Sequence, residues 1–259
     1  MTNRLITICS PKGGVGRTTL AANVAGALAQ TGDHVLAIDL DVQNALRLSF
    51  GLPVGERRGW GRGMLDGQAA LDAAVQLGNN LLVLPFGAID ATGHRALVAH
   101  LEQNPDWLAH TVASFLTHDF TVVVDTPAGP SPFLDQALRI SGLTVNVLQA
   151  DAASLALLPS IEQGAFTPGA GGEPSALVLN MIDPRRRLIQ ETSAALQRRL
   201  GDRLISCLGY DDNFGDALAH QALVIDHAPT SKAAFEIRAL ADALTARLNP
   251  VASELRHAS

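Results

Sequence analysis

Short apolar segments alternate with helical patterns along almost the whole chain, and this alternation restricts the possible folds more than any other feature. The predicted strands are 5–9, His34–Leu40, Leu81–Pro85, Phe120–Thr126, Leu143–Gln149, Ser175–Met181 and Leu204–Leu208. The predicted helices are Leu20–Ala29, Ala91–Gln103, Asp106–Thr117, Pro132–Ile140, Ala152–Gln163, Arg186–Leu200, Asp212–Gln221 and Ser231–Leu248. Short apolar strands that are each followed by a helix are typical of a mostly parallel, twisted sheet covered on both faces. The sequence therefore predicts an α/β fold.

The length and composition are consistent with one domain. The chain has 259 residues, 47% of them hydrophobic, which is enough for a sizeable core. The alternation of strands and helices resumes directly after the glycine-rich segment Gly164–Pro174, so this segment is expected to be a flexible surface loop. We expect a single domain over residues 1–250 and a flexible tail at 251–259.

The charge and the cysteines limit the partners and the compartment. The net charge is −6 and the isoelectric point is about 5.7, so no overall basic field would attract DNA or anionic lipid. Cys9 and Cys207 both fall in predicted strands, which predicts buried thiols in a reducing compartment. Because the sequence shows no signal peptide and no apolar stretch long enough to cross a bilayer, we expect a cytoplasmic protein.

A glycine-rich segment, CSPKGGVGRTT at residues 9–19, joins the first predicted strand to the first helix. A strand that turns through glycines into a helix presents backbone N–H groups and the positive end of the helix dipole, which bind phosphate. Lys12 adds a cation, and Thr18 supplies a hydroxyl where a P-loop has its Mg²⁺ ligand. The alternative is a glycine loop that only turns the chain from strand to helix.

This segment resembles the deviant Walker A motif, KGGxGK[ST], of ParA/MinD-type P-loop ATPases. The resemblance implies a single P-loop NTPase domain, ATP and Mg²⁺ as cofactors, and a homodimer with ATP at the interface. It also implies that Lys12 contacts the nucleotide of the partner subunit. The residues that would cradle the phosphates are Gly13, Gly14, Val15, Gly16, Arg17, Thr18 and Thr19.

The segment departs from the usual P-loop at two positions, where Pro11 replaces a glycine and Arg17 replaces a lysine. Arginine keeps the positive charge, but its guanidinium is a planar fork on a longer stem, so the change is not neutral. We expect phosphate binding to be retained. Whether ATP is hydrolysed is left open by Arg17.

Two further strand ends match the same family. The second strand ends in DLDVQN, close to the family's DxDPQ element. The resemblance implies that Asp39 lies near the Mg²⁺ shell and that Asp41 orients the attacking water, because phosphoryl transfer depends on positioning and charge neutralisation. Alternatively, Asp41 caps a helix over 44–50.

The strand 120–126 runs into DTPAG, which resembles the family's Walker B and switch II element. The resemblance implies that Asp125 supports Mg²⁺ through water and that the Gly129 amide faces the γ-phosphate. The alternative is a simple turn built from proline and glycine.

Three residues at later strand ends are weaker candidates. Asp151 lies where relatives carry an acidic partner of the early lysine, although helix N-capping explains it equally well. Asn180 and Asp183 lie at the end of a strand that resembles the family's strand ending in asparagine. In the family the side chain of this asparagine contacts adenine, and an amide offers both the donor and the acceptor that this base requires. The run Arg185–Arg187 is expected to be a solvated basic helix start.

A narrower resemblance lies between residues 44 and 87. The string NALRLSF…GWGRGMLDGQ…LPFG is similar to the BcsQ (YhjQ) family, ParA/MinD-like proteins encoded with bacterial cellulose synthases. This implies assembly or localisation of a cellulose secretion complex, with cellulose synthase accessory (Bcs) proteins as partners that recruit the chain to the inner membrane. The side chains of Trp60, Met64 and Leu65 are expected only to pack around a small helix.

Other functions were weighed against this one. A partition ATPase would share every nucleotide motif, but only 19 Lys and Arg residues speak against a DNA-binding surface. A MinD-like membrane cycler needs an amphipathic C-terminal helix, which the tail 250–259 does not offer. An iron-protein-like reductase needs paired cysteines at a dimer interface, and it is rejected because Cys9 and Cys207 both fall inside predicted strands. A scaffold that binds ATP without hydrolysing it stays open because of Arg17.

Overall fold

The computed structural model describes residues 4–118, 120–167 and 175–248. The predicted tail 251–259 lies outside these residues, as does most of the loop 164–174, so the domain boundary at 250 remains a prediction. The described residues form one eight-stranded sheet with helices on both faces. Its strands are β1 (Leu5–Cys9), β2 (Val35–Asp39), β3 (Val75–Leu77), β4 (Leu81–Leu84), β5 (Thr121–Asp125), β6 (Leu143–Gln149), β7 (Ala176–Ile182) and β8 (Leu204–Gly209).

The strand order is β3-β4-β2-β5-β1-β6-β7-β8. All neighbours are parallel except β3 and β4, which form an antiparallel hairpin at one edge. The parallel strands therefore end at the same edge of the sheet, where ligands of such sheets bind. This confirms the predicted α/β fold with a mostly parallel sheet.

Ten α-helices connect or cover the strands in the described part of the chain. They are α1 (Arg17–Gln30), α2 (Trp60–Leu65), α3 (Ala91–Gln103), α4 (Trp107–Thr117), α5 (Pro132–Arg139), α6 (Ala152–Glu162), α7 (Arg187–Leu200), α8 (Asn213–Ala219), α9 (Val224–His227) and α10 (Lys232–Leu248). Short 3-10 helices follow β2 and α2 at Leu46–Phe50 and Ala70–Ala73, and another precedes β8 at Gly201–Arg203. None of the described helices combines the length and the apolar character needed to cross a membrane.

Alternating residues of each strand enter cores on opposite faces of the sheet. On one face, Ile6 and Ile8 of β1 pack with α1, α9 and α10. On the other face, Leu5 packs with α3, α4 and α5, and Cys9 joins a separate cluster with α6 and α7. Burial on both faces explains why the strands are apolar without a polar alternate.

The structure differs from the sequence prediction at several positions. The hairpin strand β3 and the short helix α9 were not predicted, and α1 begins at Arg17 rather than at residue 20. The prediction of two buried thiols is wrong for Cys207, which is exposed on the edge strand β8, whereas Cys9 on the central β1 is buried.

Candidate functional site

The glycine-rich loop lies between β1 and the N-terminus of α1, at the carboxyl edge of the sheet. Gly16 immediately precedes the helix with φ of +82°, a left-handed conformation that favours glycine. A Cβ there would also lie 2.5 Å from Nδ2 of Asn180. The loop borders a cavity of about 440 Å³, lined by residues 13–19, by Asp41, Val42, Gln43 and Ala45, and by Pro127 and Ala128.

Arg17, which lines this cavity, joins two carboxylates. Its Nε donates to Oδ1 of Asp125 at 3.1 Å, and its Nη2 donates to Oδ2 of Asp41 at 2.9 Å. The Arg17 side chain is only 8% exposed. Because Asp41 follows β2 and Asp125 ends β5, the guanidinium ties together the ends of two neighbouring strands. Sequence reasoning assigned Arg17 to phosphate alone and did not predict this bridge.

Asp39 organises the loop that carries Asp41. Its Oδ1 accepts from the Asp41 backbone N–H at 2.9 Å and its Oδ2 accepts from that of Leu46 at 3.1 Å. Asp41 Oδ1 accepts from the Gln43 N–H at 3.0 Å, so the alternative that Asp41 caps the segment 44–50 is wrong. Burial, together with the nearby Asp125 charge, raises the pKa of Asp39 well above its usual range.

Asp125 is fully buried, and burial raises its pKa to about 6 against the opposing effect of the Arg17 charge. The DTPAG turn that follows is fixed to β1 and the loop. Thr126 Oγ1 donates to the Ile8 carbonyl at 3.0 Å, and the Gly129 amide donates to the Ser10 carbonyl at 2.9 Å. The Gly129 amide is therefore hydrogen-bonded to the glycine-rich loop itself. Its expected contact with a γ-phosphate stays a prediction.

The donors around Asp125 fit an Mg²⁺ ion. Asp125 Oδ2 is buried and has no hydrogen-bond partner among the described residues. The Thr18 side chain acts to lower the pKa of the same carboxyl group, and carboxylate and hydroxyl oxygens are ligands that Mg²⁺ prefers. Both oxygens of Asp39 are occupied by backbone N–H groups. Residues 4–118, 120–167 and 175–248 contain no group of three or more His, Cys, Asp or Glu side chains able to hold a metal.

Lys12 and Asp151 are in contact within one subunit. Lys12 Nζ lies 2.5 Å from Asp151 Oδ2 and 3.1 Å from Gln149 Oε1. Asp151 also accepts from the Ser154 N–H at 2.8 Å and so caps α6. Both interpretations of Asp151 that the sequence left open therefore apply at once. The Lys12 side chain is 20% exposed beside the loop.

Asn180 lies between the glycine-rich loop and a second cavity. Its Nδ2 donates to the Val15 carbonyl at 2.8 Å, and the residue is buried. The cavity has a volume of about 220 Å³ and shares Gly16 and Thr19 with the first one. Its other lining residues are Leu20, Asn180, Met181, Gly209, Tyr210, Asp211, Asp212, Phe214 and Gly215.

The structure does not bring Asp183 into this cavity. Asp183 instead pairs with Arg185 at 2.9 Å, and hydrogen bonds from Arg185 lower its pKa. Arg187 pairs with Glu191 and is 90% exposed, so the run Arg185–Arg187 is solvated as expected. The lining residues that sequence reasoning missed are Tyr210, which directly follows β8, and Phe214, which lies in the first turn of α8. Their position after a parallel strand was the available signal.

The string between residues 44 and 87 forms one interlocked unit. Gly59 and Gly87 meet backbone to backbone, because a Cβ on Gly59 would lie 2.1 Å from the Gly87 nitrogen. Trp60 donates its backbone N–H to the Pro85 carbonyl at 2.9 Å. Its indole Nε1 donates to the Asp39 carbonyl at 2.7 Å. Trp60 is thus packed as expected, but it also supports the loop that carries Asp41.

Arg47 of the same string fastens the chain that follows β2. Its guanidinium donates to the carbonyls of Asn44, Pro53 and Val54, at 3.1 Å for Asn44 and 2.8 Å for Val54. Arg47 is buried, and its Nε, Nη1 and Nη2 each donate to a backbone carbonyl. It therefore shapes this loop.

Comparison with known proteins decides the family. The model of the cellulose biosynthesis protein BcsQ family matches residues 4–244. The chain belongs to the BcsQ family. Within that family, BcsQ of Salmonella typhi is 33% identical over 142 residues, which are 54% of this chain and 57% of that protein. The alignment to this BcsQ relative thus covers little more than half of its length.

This BcsQ-family chain is also similar to ParA/MinD-type proteins over nearly its full length. The chromosome-partitioning ATPase Soj of Thermus thermophilus is 30% identical over 95% of this chain and 96% of Soj. The cell division ATPase MinD of Pyrococcus furiosus has a TM-score of 0.76 and 25% identity, over 94% of this chain and 98% of MinD. MinD of Pyrococcus horikoshii, solved with Mg-ADP, has a TM-score of 0.72 at 24% identity, over 92% of this chain and 94% of that one. These similarities confirm the P-loop NTPase fold and the ParA/MinD-type family.

Proposed function

We propose that this chain binds ATP and, through an ATP-dependent homodimer, supports the assembly or localisation of a bacterial cellulose synthase complex. The observation that carries nucleotide binding is the pair of contiguous cavities at the carboxyl edge of the sheet. One is bordered by the glycine-rich loop and its backbone N–H groups, and the other adjoins it through Gly16 and Thr19. Phosphate groups suit the first cavity, and a purine base suits the second.

The site residues take distinct roles in this proposal. The amides of residues 13–19 would bind the phosphates, and Thr18 with Asp125 would hold the Mg²⁺ that neutralises phosphate charge. Asp41 would position the attacking water. Asp39 would hold the loop that carries Asp41, through the hydrogen bond from the Asp41 backbone N–H. Asn180 would contact the base, whereas Asp183 stays a prediction that no contact supports.

Lys12 is the proposed link between two subunits. Within one subunit its ammonium is held by Asp151 and Gln149, and it is partly exposed. A lysine side chain on a flexible stem can exchange these partners for a phosphate of a neighbouring subunit. Loss of that contact should weaken the dimer without unfolding the protein.

The cellular role rests on family membership. We propose that recruitment to the inner membrane occurs through cellulose synthase accessory (Bcs) proteins. A chromosome or plasmid partition role is the second candidate, because the similarity to Soj extends over 95% of this chain. A non-hydrolysing scaffold is the third, because Arg17 ion-pairs with Asp41, the proposed water-positioning residue.

Binding and dimerisation can be tested together. We would titrate the full chain with AMPPNP by calorimetry and measure its mass by light scattering with and without the nucleotide. Lys12→Ala should retain binding and lose most of the AMPPNP-dependent dimer. Lys232→Ala, which removes an exposed lysine paired with Glu236 on α10, is the matched control and should dimerise normally. An unchanged dimer in Lys12→Ala would contradict the cross-subunit contact.

Two further measurements separate the cellular candidates. Deletion of the gene in its native host should abolish cellulose secretion, measured by dye binding, if the first candidate is correct. Retention of a DNA fragment by the ATP-bound protein would instead support partitioning. Single-turnover hydrolysis of Mg·ATP at dimer-forming concentrations distinguishes a cycling switch from a scaffold.

A further inference from the structure

The side chain of Gln149 contacts three parts of the proposed site at once. Gln149 ends β6, and its Oε1 accepts from Lys12 Nζ at 3.1 Å. Its Nε2 donates to the Gly14 carbonyl at 3.2 Å and to Met181 Sδ at 3.0 Å. Gln149 therefore connects the proposed cross-subunit lysine, the glycine-rich loop and the second cavity, which Met181 lines.

Met181 is the lining residue that an entering base would displace. Its φ of +58° is a left-handed conformation that few residues other than glycine adopt, and the residue is 37% exposed. Its side chain reaches the loop, because a Cβ on Gly16 would lie 3.1 Å from Met181 Cε. The second cavity, at about 220 Å³, is smaller than the roughly 300–1,000 Å³ of small-molecule sites. A base must therefore move a lining side chain, and methionine has the flexible, unbranched one.

Displacement of Met181 changes how Gln149 holds Lys12. Nε2 of Gln149 then keeps only the Gly14 carbonyl, the longer of its two contacts. Because Oε1 and Nε2 belong to one planar amide, rotation of the amide moves Oε1 away from Lys12 Nζ. The remaining partner of Lys12 is Asp151, whose side chain is 40% exposed. An ion pair this exposed to water holds the lysine only weakly.

We propose that Gln149 is a positioning residue that couples the second cavity to Lys12. A purine base displaces Met181, Gln149 releases the lysine, and the lysine becomes free to contact the nucleotide of a second copy of the chain. This coupling rests on nucleotide binding and dimerisation as the proposed function. It makes the dimer depend on the base of the nucleotide as well as on its phosphates.

The test compares two ligands, AMPPNP and inorganic tripolyphosphate, of which only the first carries a base. Both are used in MgCl₂ at concentrations that calorimetry shows to be saturating. The dimer dissociation constant of the full chain is measured by analytical ultracentrifugation. In the wild type the AMPPNP dimer should be at least about tenfold tighter, because without a base the hydrogen bond from Lys12 to Gln149 must be broken first.

Two variants should remove this difference in opposite ways. Gln149→Leu lacks the amide that holds Lys12, so its tripolyphosphate dimer should become about tenfold tighter, whereas a merely structural defect would weaken both dimers. Met181→Leu lacks the sulfur acceptor, so the amide no longer responds to the base and the AMPPNP dimer should weaken to the tripolyphosphate level. Gln76→Leu is the matched control, because this exposed strand glutamine also donates to a glycine carbonyl, that of Gly78 at 2.9 Å.

Each outcome has a separate meaning. Equal dimer dissociation constants for the two ligands in the wild type, or a wild-type difference in Gln149→Leu, would overturn the coupling while leaving nucleotide binding intact. No binding of AMPPNP to the wild type would overturn the proposed function as well. If Gln149→Leu does not fold, or if tripolyphosphate does not saturate the chain, Met181→Leu with AMPPNP alone decides. A weaker dimer than that of the wild type supports the coupling, and an unchanged dimer contradicts it.

Discussion

Replacing Trp60 by Phe is the sharpest test of how the string at residues 44–87 supports the site. The Trp60 side chain is completely buried, and its indole donates to the Asp39 carbonyl at 2.7 Å. Its ring also contacts those of Phe86 and Trp107, with centroids 4.8 Å and 4.6 Å away. Phenylalanine keeps part of the aromatic packing and removes the donor.

Two costs add up in this variant. A buried acceptor that loses its partner costs about 1–3 kcal/mol. The smaller ring leaves a cavity that costs roughly another 1–2 kcal/mol. For a total of about 3 kcal/mol, Tm should fall by roughly 6–12 °C for a chain of this size. Because the Asp39 carboxylate also holds the Asp41 amide, AMPPNP affinity should fall as well.

The assay is urea and thermal unfolding followed by circular dichroism, with Trp107→Phe as the control. Trp107 is only half-buried and packs against Trp60, so its replacement should cost less than about 1.5 kcal/mol. If Trp60→Phe loses less than about 1 kcal/mol, or no more than Trp107→Phe, the hydrogen bond to Asp39 does not support the loop as argued.

Two other predictions address packing and pH. Gly59→Ala should destabilise the fold by about 3 kcal/mol or more in urea unfolding, because its Cβ would collide with the Gly87 backbone, whereas Gly55→Ala, with no atom within 4 Å of the added Cβ, should be neutral; equal effects would contradict the close approach. Asp90 caps α3, and the Gly93 amide lowers its pKa, so its stabilisation is complete above about pH 4 and is lost as the pH falls through the lowered pKa. Urea unfolding at a series of pH values should therefore show the wild type losing stability relative to Asp90→Asn in acid, and a difference that stays constant would refute this.

The sequence predicted the parts of the structure that depend on local pattern. The apolar runs located seven strands, and the glycine-rich loop located the edge where the cavities lie. The hairpin strand Val75–Leu77 was missed because none of its three residues is buried and because three residues are too few for a periodic pattern. Cys207 was predicted buried because the pattern does not say that its strand forms an edge of the sheet.

The candidate site was predictable in membership but not in connectivity. The positions of Asp39, Asp41 and Asp125 followed from motifs at strand ends. That Arg17 pairs with Asp41 and Asp125 depends on β2 lying beside β5 with Asp39 opposite Asp125. Such a register is a tertiary property. The contact of Trp60 with Asp39 likewise depends on where a separate segment packs.

The two cysteines differ so much in environment that the chain carries one chemically addressable position. The Cys9 thiol is buried at the centre of the sheet, and burial raises its pKa to about 12, so it stays protonated and shielded from reagents. Cys207 is exposed on β8. A maleimide spin label added to the native protein should therefore attach at Cys207 alone. Two labelled copies would then report a single inter-label distance, and the symmetry of any assembly could be measured without engineering the sequence.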